Sequence, residues 1–182
     1  MAAIASRKVD PFRGEPVHVA GGTAESICQP KWSPDGSLVY ASDRSDWWNL
    51  YRWRVGASGS AEIAPMEAEV GGPQWVFGLS DYGIDADDTI YAFAHSPEGA
   101  RLVALGQSTA PYEIEFAENG LSYVQVSDGM LTALAGSFTR PTALVRIDLE
   151  NGTEERVLER CGFWWYELNV GEFVLNNLRE GD

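Results

Sequence analysis

The chain has 182 residues, 45% of them hydrophobic and 22% charged, which is enough apolar material for one globular core and too much for a disordered polymer. Its 27 acidic and 13 basic residues give a formal net charge of -14, a field that opposes phosphate backbones and anionic lipid, so neither nucleic acid nor a membrane surface is an expected partner. No apolar run reaches the length of a bilayer span, and Met1 to Phe12, with Arg7, Lys8 and Asp10, lacks the apolar stretch of a signal peptide.

Cys28 and Cys161 stand far apart without a Cys-x-x-Cys arrangement, so neither a disulfide framework nor a zinc site is indicated, and a reducing cytoplasm is the default expectation. Residues 1–20 read as an extension or an incomplete strand. From there, short apolar runs bounded by Gly, Pro, Asp and Asn recur from Ile27 to Leu158, the mark of a mostly β chain.

Ile27 to Trp32 reads as a strand that turns at Ser33-Pro34-Asp35-Gly36 into Ser37 to Ser42. Pro34 presets φ, Asp35 bonds its own following backbone, and Gly36 tolerates the positive φ that closes the hairpin. A second turn, Asp43 to Trp48, leads into Asn49 to Val55, where either Leu50, Trp53 and Val55 or Tyr51 and Trp53 could pack inward. Asp43 and Arg44 read as a turn-stabilising pair.

Val76 to Ser80, Thr89 to His95 and Arg101 to Leu105 read as three further strands, separated by Asp85 to Asp88 and by Ser96-Pro97-Glu98-Gly99. Leu121 to Val126, Leu131 to Gly136, Ala143 to Leu149 and Glu155 to Leu158 form a last set, its turns at Ser127-Asp128-Gly129, Phe138 to Pro141 and Glu150-Asn151-Gly152. Asn151-Gly152-Thr153 also matches a glycosylation acceptor, but an Asn-Gly hairpin turn is the preferred reading. Third strands starting at Asn49, Arg101 and Ala143 are spaced 52 and 42 residues apart. Propeller blades repeat at roughly 40 to 50 residues, so the spacing predicts an all-β fold, a partial β-propeller of about three four-stranded antiparallel blades over residues 21–160, with a β-sandwich as the alternative. A closed ring takes about four to eight blades, so a fragment is expected. Residues 161–182, with Phe163, Trp164, Trp165 and Tyr166, depart from the pattern.

Gln29-Pro30-Lys31-Trp32-Ser33-Pro34-Asp35-Gly36, then Tyr40 to Arg44 and Trp48-Asn49-Leu50-Tyr51, resemble a propeller repeat of the dipeptidyl aminopeptidase/acylaminoacyl peptidase branch of the prolyl oligopeptidase family. Pro65 to Gly78 resembles the entry to that branch's next blade, and Arg140-Pro141-Thr142-Ala143-Leu144 its later blade, so the likeness runs from Gly21 to Leu158. The resemblance implies a non-catalytic propeller that gates or positions peptide substrates over an α/β-hydrolase domain. The partners it implies are the peptide, reached through the parent enzyme, and the missing hydrolase domain or other blades. The Trp-Ser-Pro-Asp-Gly spelling also occurs in TolB-like propellers, which leaves a non-enzymatic interaction module as the alternative.

The resembling peptidases carry a Gly-x-Ser-x-Gly elbow, and this chain has none: Gly78-Leu79-Ser80-Asp81-Tyr82-Gly83 holds one residue too many. His18 and His95 have no activated serine to serve, so no catalytic residue is expected. Asp85, Asp87 and Asp88 fail the calcium-loop pattern, with Ile90 and Ser96 where its glycine and glutamate belong, and no metal or cofactor is expected. The substrate-rim candidates are Glu67, Glu69 and Trp75. Related dipeptidyl peptidases hold a peptide's amino terminus with propeller carboxylates, and the spacing of two sets Glu67 and Glu69 on one strand face or one loop rim, with solvated acid on an inter-blade connection as the alternative. Trp75 and Phe77 could line a substrate passage with rigid aromatic surface, but core packing is the preferred reading, and Trp32, Trp47, Trp48 and Trp53 likewise read first as blade packing.

Overall fold

A computed structural model describes residues 4–6, 16–116, 118, 120–137 and 139–159. The aromatic cluster Phe163 to Tyr166 and the rest of residues 161–182 lie outside the described residues.

Among the described residues, fourteen strands make three four-stranded antiparallel sheets and one two-stranded sheet. The two-stranded sheet pairs β1 (Ile4–Ser6) with β2 (Val17–Ala20). The first blade is β3 (Ile27–Trp32), β4 (Leu38–Ser42), β5 (Asn49–Trp53) and β6 (Ser60–Ile63), hydrogen-bonded in chain order. The second is β7 (Tyr82–Ile84), β8 (Ile90–Ser96), β9 (Gly99–Leu105) and β10 (Tyr112–Ile114). The third is β11 (Gly120–Ser127), β12 (Met130–Gly136), β13 (Ala143–Asp148) and β14 (Glu154–Glu159). The predicted all-β partial propeller of three four-stranded blades is what the chain forms.

The blades stack face to face. Val39, Ala41 and Leu50 of the first blade share one core with Ile90, Ala92 and Val103 of the second. On the opposite face of the second blade, Tyr91, Phe93, Leu102 and Ala104 meet Leu131, Ala133, Val145 and Ile147 of the third. The first blade's other face, with Leu38, Tyr40, Tyr51 and Trp53, is covered by Val19 and Ala20. This stacking settles which side of β5 is buried: Leu50, Tyr51 and Trp53 are all buried because the sheet is covered on both faces, while Val55 lies beyond the strand and is exposed.

The first strands of the first and third blades carry matching irregularities. Gln29 (φ 52°) and Tyr123 (φ 57°) sit in the left-handed region where the register of β3 against β4, and of β11 against β12, shifts. Each is a bulge that bends the strand and re-aims its side chains.

Val76 to Ser80 is not a strand. The first strand of the second blade is β7, and the segment before it is a connection with Gly78 at φ 83°, its Val76 and Phe77 side chains turned to solvent and only Ser80 buried. An apolar run without a pairing partner is not a strand whatever its propensity. Asp43 and Arg44 do not pair with each other. Arg44 forms an ion pair with Glu25 (2.5 Å), and Asp43 accepts the Ser26 backbone N–H (2.7 Å). Both hold the entry to β3.

Candidate functional site

In each antiparallel blade, the turns between the first and second strands gather at one end and the loops between the second and third at the other. The long connection 64–81 runs along the latter end. Val70 N–H donates to the Trp48 carbonyl (2.7 Å), and Glu69 exchanges backbone hydrogen bonds with His95 (2.7 and 3.0 Å), so the connection bridges the second-to-third-strand ends of two blades. Asn49 fastens its start, bonding Met66 through both the backbone N–H and the carbonyl (2.9 Å each).

The three rim candidates lie on this one connection in three different settings. Glu67 is exposed and borders a shallow cavity of about 300 Å³ that Glu62, Ser45 and Trp47 also line. Glu69 is half-buried, and its carboxylate accepts the Trp48 N–H (2.7 Å). Trp75 is 85% exposed, and two residues on Phe77 is 100% exposed. Glu67 lines this cavity and Trp75 does not, while the Glu69 carboxylate is turned to the Trp48 N–H. Asn49 and Trp48, whose backbone and side-chain groups hold the connection in place, were read from the sequence only as strand and packing residues.

Further along the same end, Arg140 of the third blade donates to Glu118 (2.9 Å), whose side chain is wholly buried, and Arg156 joins the same carboxylate oxygen (2.7 Å). The arginine that opens the Arg140-Pro141-Thr142 motif thus anchors the loop between β12 and β13 to the connection that precedes β11.

The inner seam of the stack is polar. Gln29 donates to the Asp81 carboxylate and accepts the Asp81 N–H (2.7 Å). Lys31 Nζ donates to Ser80 Oγ (2.6 Å) and to the Tyr82 carbonyl, and lies 4.7 Å from the Tyr82 ring centre. Burial lowers the Lys31 ammonium to a pKa of about 8, against the opposing pull of Asp81. Ser80 Oγ bonds the Val124 carbonyl (2.7 Å), and the Ser80 carbonyl accepts the Val124 N–H (2.8 Å), tying the second blade to the third. Ser80 is 3% exposed and its hydroxyl is committed to these partners, an arrangement for joining blades rather than for attacking a substrate. The sequence signal for this seam was Gln29-Pro30-Lys31, read only as part of a repeat.

Among the described residues no group of three or more His, Cys, Asp or Glu is placed to hold a metal ion, and no helix is long and apolar enough to cross a membrane.

No family model and no curated protein matches the sequence. Solved structures do. A puromycin-hydrolyzing peptidase of Mycobacterium tuberculosis is 23% identical with a TM-score of 0.76, over 87% of this chain and 25% of its own. A puromycin hydrolase mutant complexed with PGG is 26% identical with a TM-score of 0.73, over 82% of this chain and 23% of its own. A prolyl endopeptidase is 13% identical with a TM-score of 0.60, over 82% of this chain and 22% of its own. This chain therefore spans about a quarter of the length of the structures it matches. These three solved structures are peptidases of the prolyl oligopeptidase family, and what this chain shares with them is the fold of their β-propeller.

Proposed function

We propose that this chain serves as the non-catalytic propeller portion of a cytoplasmic serine peptidase of the dipeptidyl aminopeptidase/acylaminoacyl branch, gating or positioning peptides for an α/β-hydrolase domain. Its partners are that domain, further blades and, through the assembled enzyme, the peptide. The observation that carries this reading is the stack of three blades with the likeness, at 26% identity over 82% of the chain, to a puromycin hydrolase. The rim role falls to Glu67, whose exposed carboxylate stands beside Glu62 at an open cavity and suits a peptide ammonium group. Glu69 supports it by holding the connection to Trp48, and Trp75, exposed further along the same connection, offers an aromatic contact.

The test is a binding titration of labelled short peptides against the purified chain, with free and acetylated amino termini. Acetylation and Glu67→Gln are each expected to weaken binding by about tenfold, the worth of one charge-assisted contact. Equal affinity for free and acetylated peptides would overturn the rim reading. The chain alone is expected to give no turnover of aminoacyl or dipeptidyl chromogenic substrates. Turnover abolished by a single substitution in this chain would overturn the non-catalytic assignment.

A further inference from the structure

A second cavity, of about 440 Å³, opens on the same end of the stack between the start of β3 and residues 72–74 of the connection. This is within the roughly 300 to 1,000 Å³ range of small-ligand sites. Its walls include the apolar residues Ile27, Cys28, Trp48 and Pro73 beside the polar Thr23, Ser26 and Gln74. Two wall residues are glycines, Gly22 and Gly72, and a Cβ added at either would meet nothing within 4 Å. The cavity is thus bounded by positions that have room for side chains and carry none.

The one ionised wall group is already neutralised. Glu25 pairs with Arg44 (2.5 Å), accepts the Ser42 hydroxyl (2.6 Å), and accepts the Gly21 N–H through its other oxygen (3.1 Å). Although burial opposes its ionisation, these bonds hold its carboxyl below the usual range. Cys28 is buried, and burial pushes its thiol up to about 11, so the sulfur stays neutral. A neutral sulfur is a soft, polarisable neighbour for an aromatic ring. The cavity therefore suits an uncharged, flat, apolar group and offers no free charge to an ion.

Exposed apolar side chains follow the cavity wall in sequence. Gln74 on its wall is followed by Trp75, Val76 and Phe77, all exposed. The loop Asp43 to Trp48 separates this apolar cavity from the acidic one, with Trp47 on one wall and Trp48 on the other.

We infer that the Cys28–Trp48–Pro73 cavity is a subsite for an aromatic side chain of a bound peptide, whose ammonium end reaches the neighbouring Glu62–Glu67 cavity across the Trp47–Trp48 partition. This rests on the peptide-positioning reading above, and it adds a side-chain preference.

The experiment is a fluorescence-anisotropy titration of the full chain with a labelled free-amine peptide carrying phenylalanine near its amino terminus, and with the same peptide carrying glycine there. The aromatic peptide is expected to bind at least about tenfold more tightly, the yield of burying one large apolar side chain. Gly22→Leu and Ser26→Trp, two independent ways of filling the cavity, are expected to erase that difference while leaving the glycine peptide's affinity unchanged. Thermal melting of each variant confirms that it is folded. In a Cys161→Ser background that keeps the buried Cys28, Gln74→Cys is expected to be protected from alkylation by the phenylalanine peptide and not by the glycine one. Peptide binding that depends on Glu67 but is indifferent to phenylalanine and to both filling substitutions would sink the subsite and leave the peptide-positioning reading standing. No binding of either peptide would sink both.

Discussion

Asp88, in the turn between the first two strands of the second blade, accepts the backbone N–H of Asp35 (2.8 Å), the residue at the corresponding turn of the first blade. The same oxygen accepts the Ser33 hydroxyl (2.6 Å). From the same turn, Asp85 accepts the Gly129 N–H of the third blade (3.1 Å). The acidic run is therefore a two-way latch between three successive hairpins. Replacing Asp88 by Ala leaves two donors without a partner, and the chain is expected to lose about 1–3 kcal/mol. Urea unfolding of Asp88→Ala beside Asp87→Ala reads this out. Asp87 bonds only the nearby Thr89 N–H (2.9 Å), and its substitution is expected to cost less. Equal midpoints for the two variants would remove the latch.

Asp35 sets a pH dependence at the same place. Burial opposes its ionisation, but bonds from the Ser37 hydroxyl and N–H, with Arg54 and Arg52, hold its carboxyl far below the usual carboxylate range. A carboxyl depressed in the folded state contributes stability above its unfolded pKa, about 3.9, and loses it as pH falls toward the folded value. Asp35→Asn is therefore expected to be less stable than the parent at pH 7, with the gap narrowing below about pH 4. A gap unchanged between pH 7 and pH 2.5 in chemical denaturation would contradict this.

Much of this architecture is legible in the residues. Ser33-Pro34-Asp35-Gly36 names its own turn, and the strands β8, β9, β11, β12 and β13 fall where alternation and turn chemistry set them. The short strands β6, β7 and β10 are harder to read. Ser60–Ile63 and Tyr112–Ile114 are fourth strands at sheet edges, where one neighbour suffices and polar residues are tolerated. Val76 to Ser80 misleads because its apolar side chains do not mark burial, which the local pattern cannot distinguish from a strand. The site is legible only in part for a related reason. Glu67 and Glu69 share a charge and a spacing, but Glu69 is drawn inward by the Trp48 N–H, a partner 21 residues away. Cys28, Gly22 and Gly72 meet at one cavity through tertiary stacking alone.

Lys31 yields a prediction of opposite sign to Asp35. Burial lowers its pKa to about 8, whereas an unfolded lysine titrates near 10.4, so between these values the unfolded chain binds more protons than the folded one. Stability from this group therefore rises with pH across that window, as the penalty of a desolvated ammonium is relieved. The groups around it are Asp81, Ser80 and the Tyr82 ring and carbonyl, with Gln29 on its own strand. Lys31→Met is expected to show a flatter dependence of the urea midpoint on pH between 8 and 10 than the parent. Parallel curves would mean that the ammonium is solvated in the folded chain.

The connection 64–81 separates stability from recognition. Trp75 and Phe77 are so exposed that serine at both positions is expected to change stability by no more than about 0.5 kcal/mol. A loss above about 2 kcal/mol on thermal or urea unfolding would mean that these rings pack against the stack and are not a free rim.

Gly83 tests the closeness of the stacking itself. It lies in β7, and a Cβ there would come within 2.4 Å of Val126 Cγ2 and 2.9 Å of the Val126 backbone nitrogen on the first strand of the third blade. The side-chain methyl can swing away, but the backbone nitrogen belongs to a paired strand, so the two inner strands must separate for alanine to fit. Overpacking of this kind costs typically about 1–3 kcal/mol. Gly59 makes the matched control, since a Cβ there meets nothing within 4 Å. Gly83→Ala is expected to lower the unfolding midpoint and to speed amide exchange in β7 and β11, while Gly59→Ala leaves both unchanged. If Gly83→Ala were as stable as the parent, the second and third blades would not approach each other this closely in solution, and the face-to-face stack would have to be loosened at its inner edge.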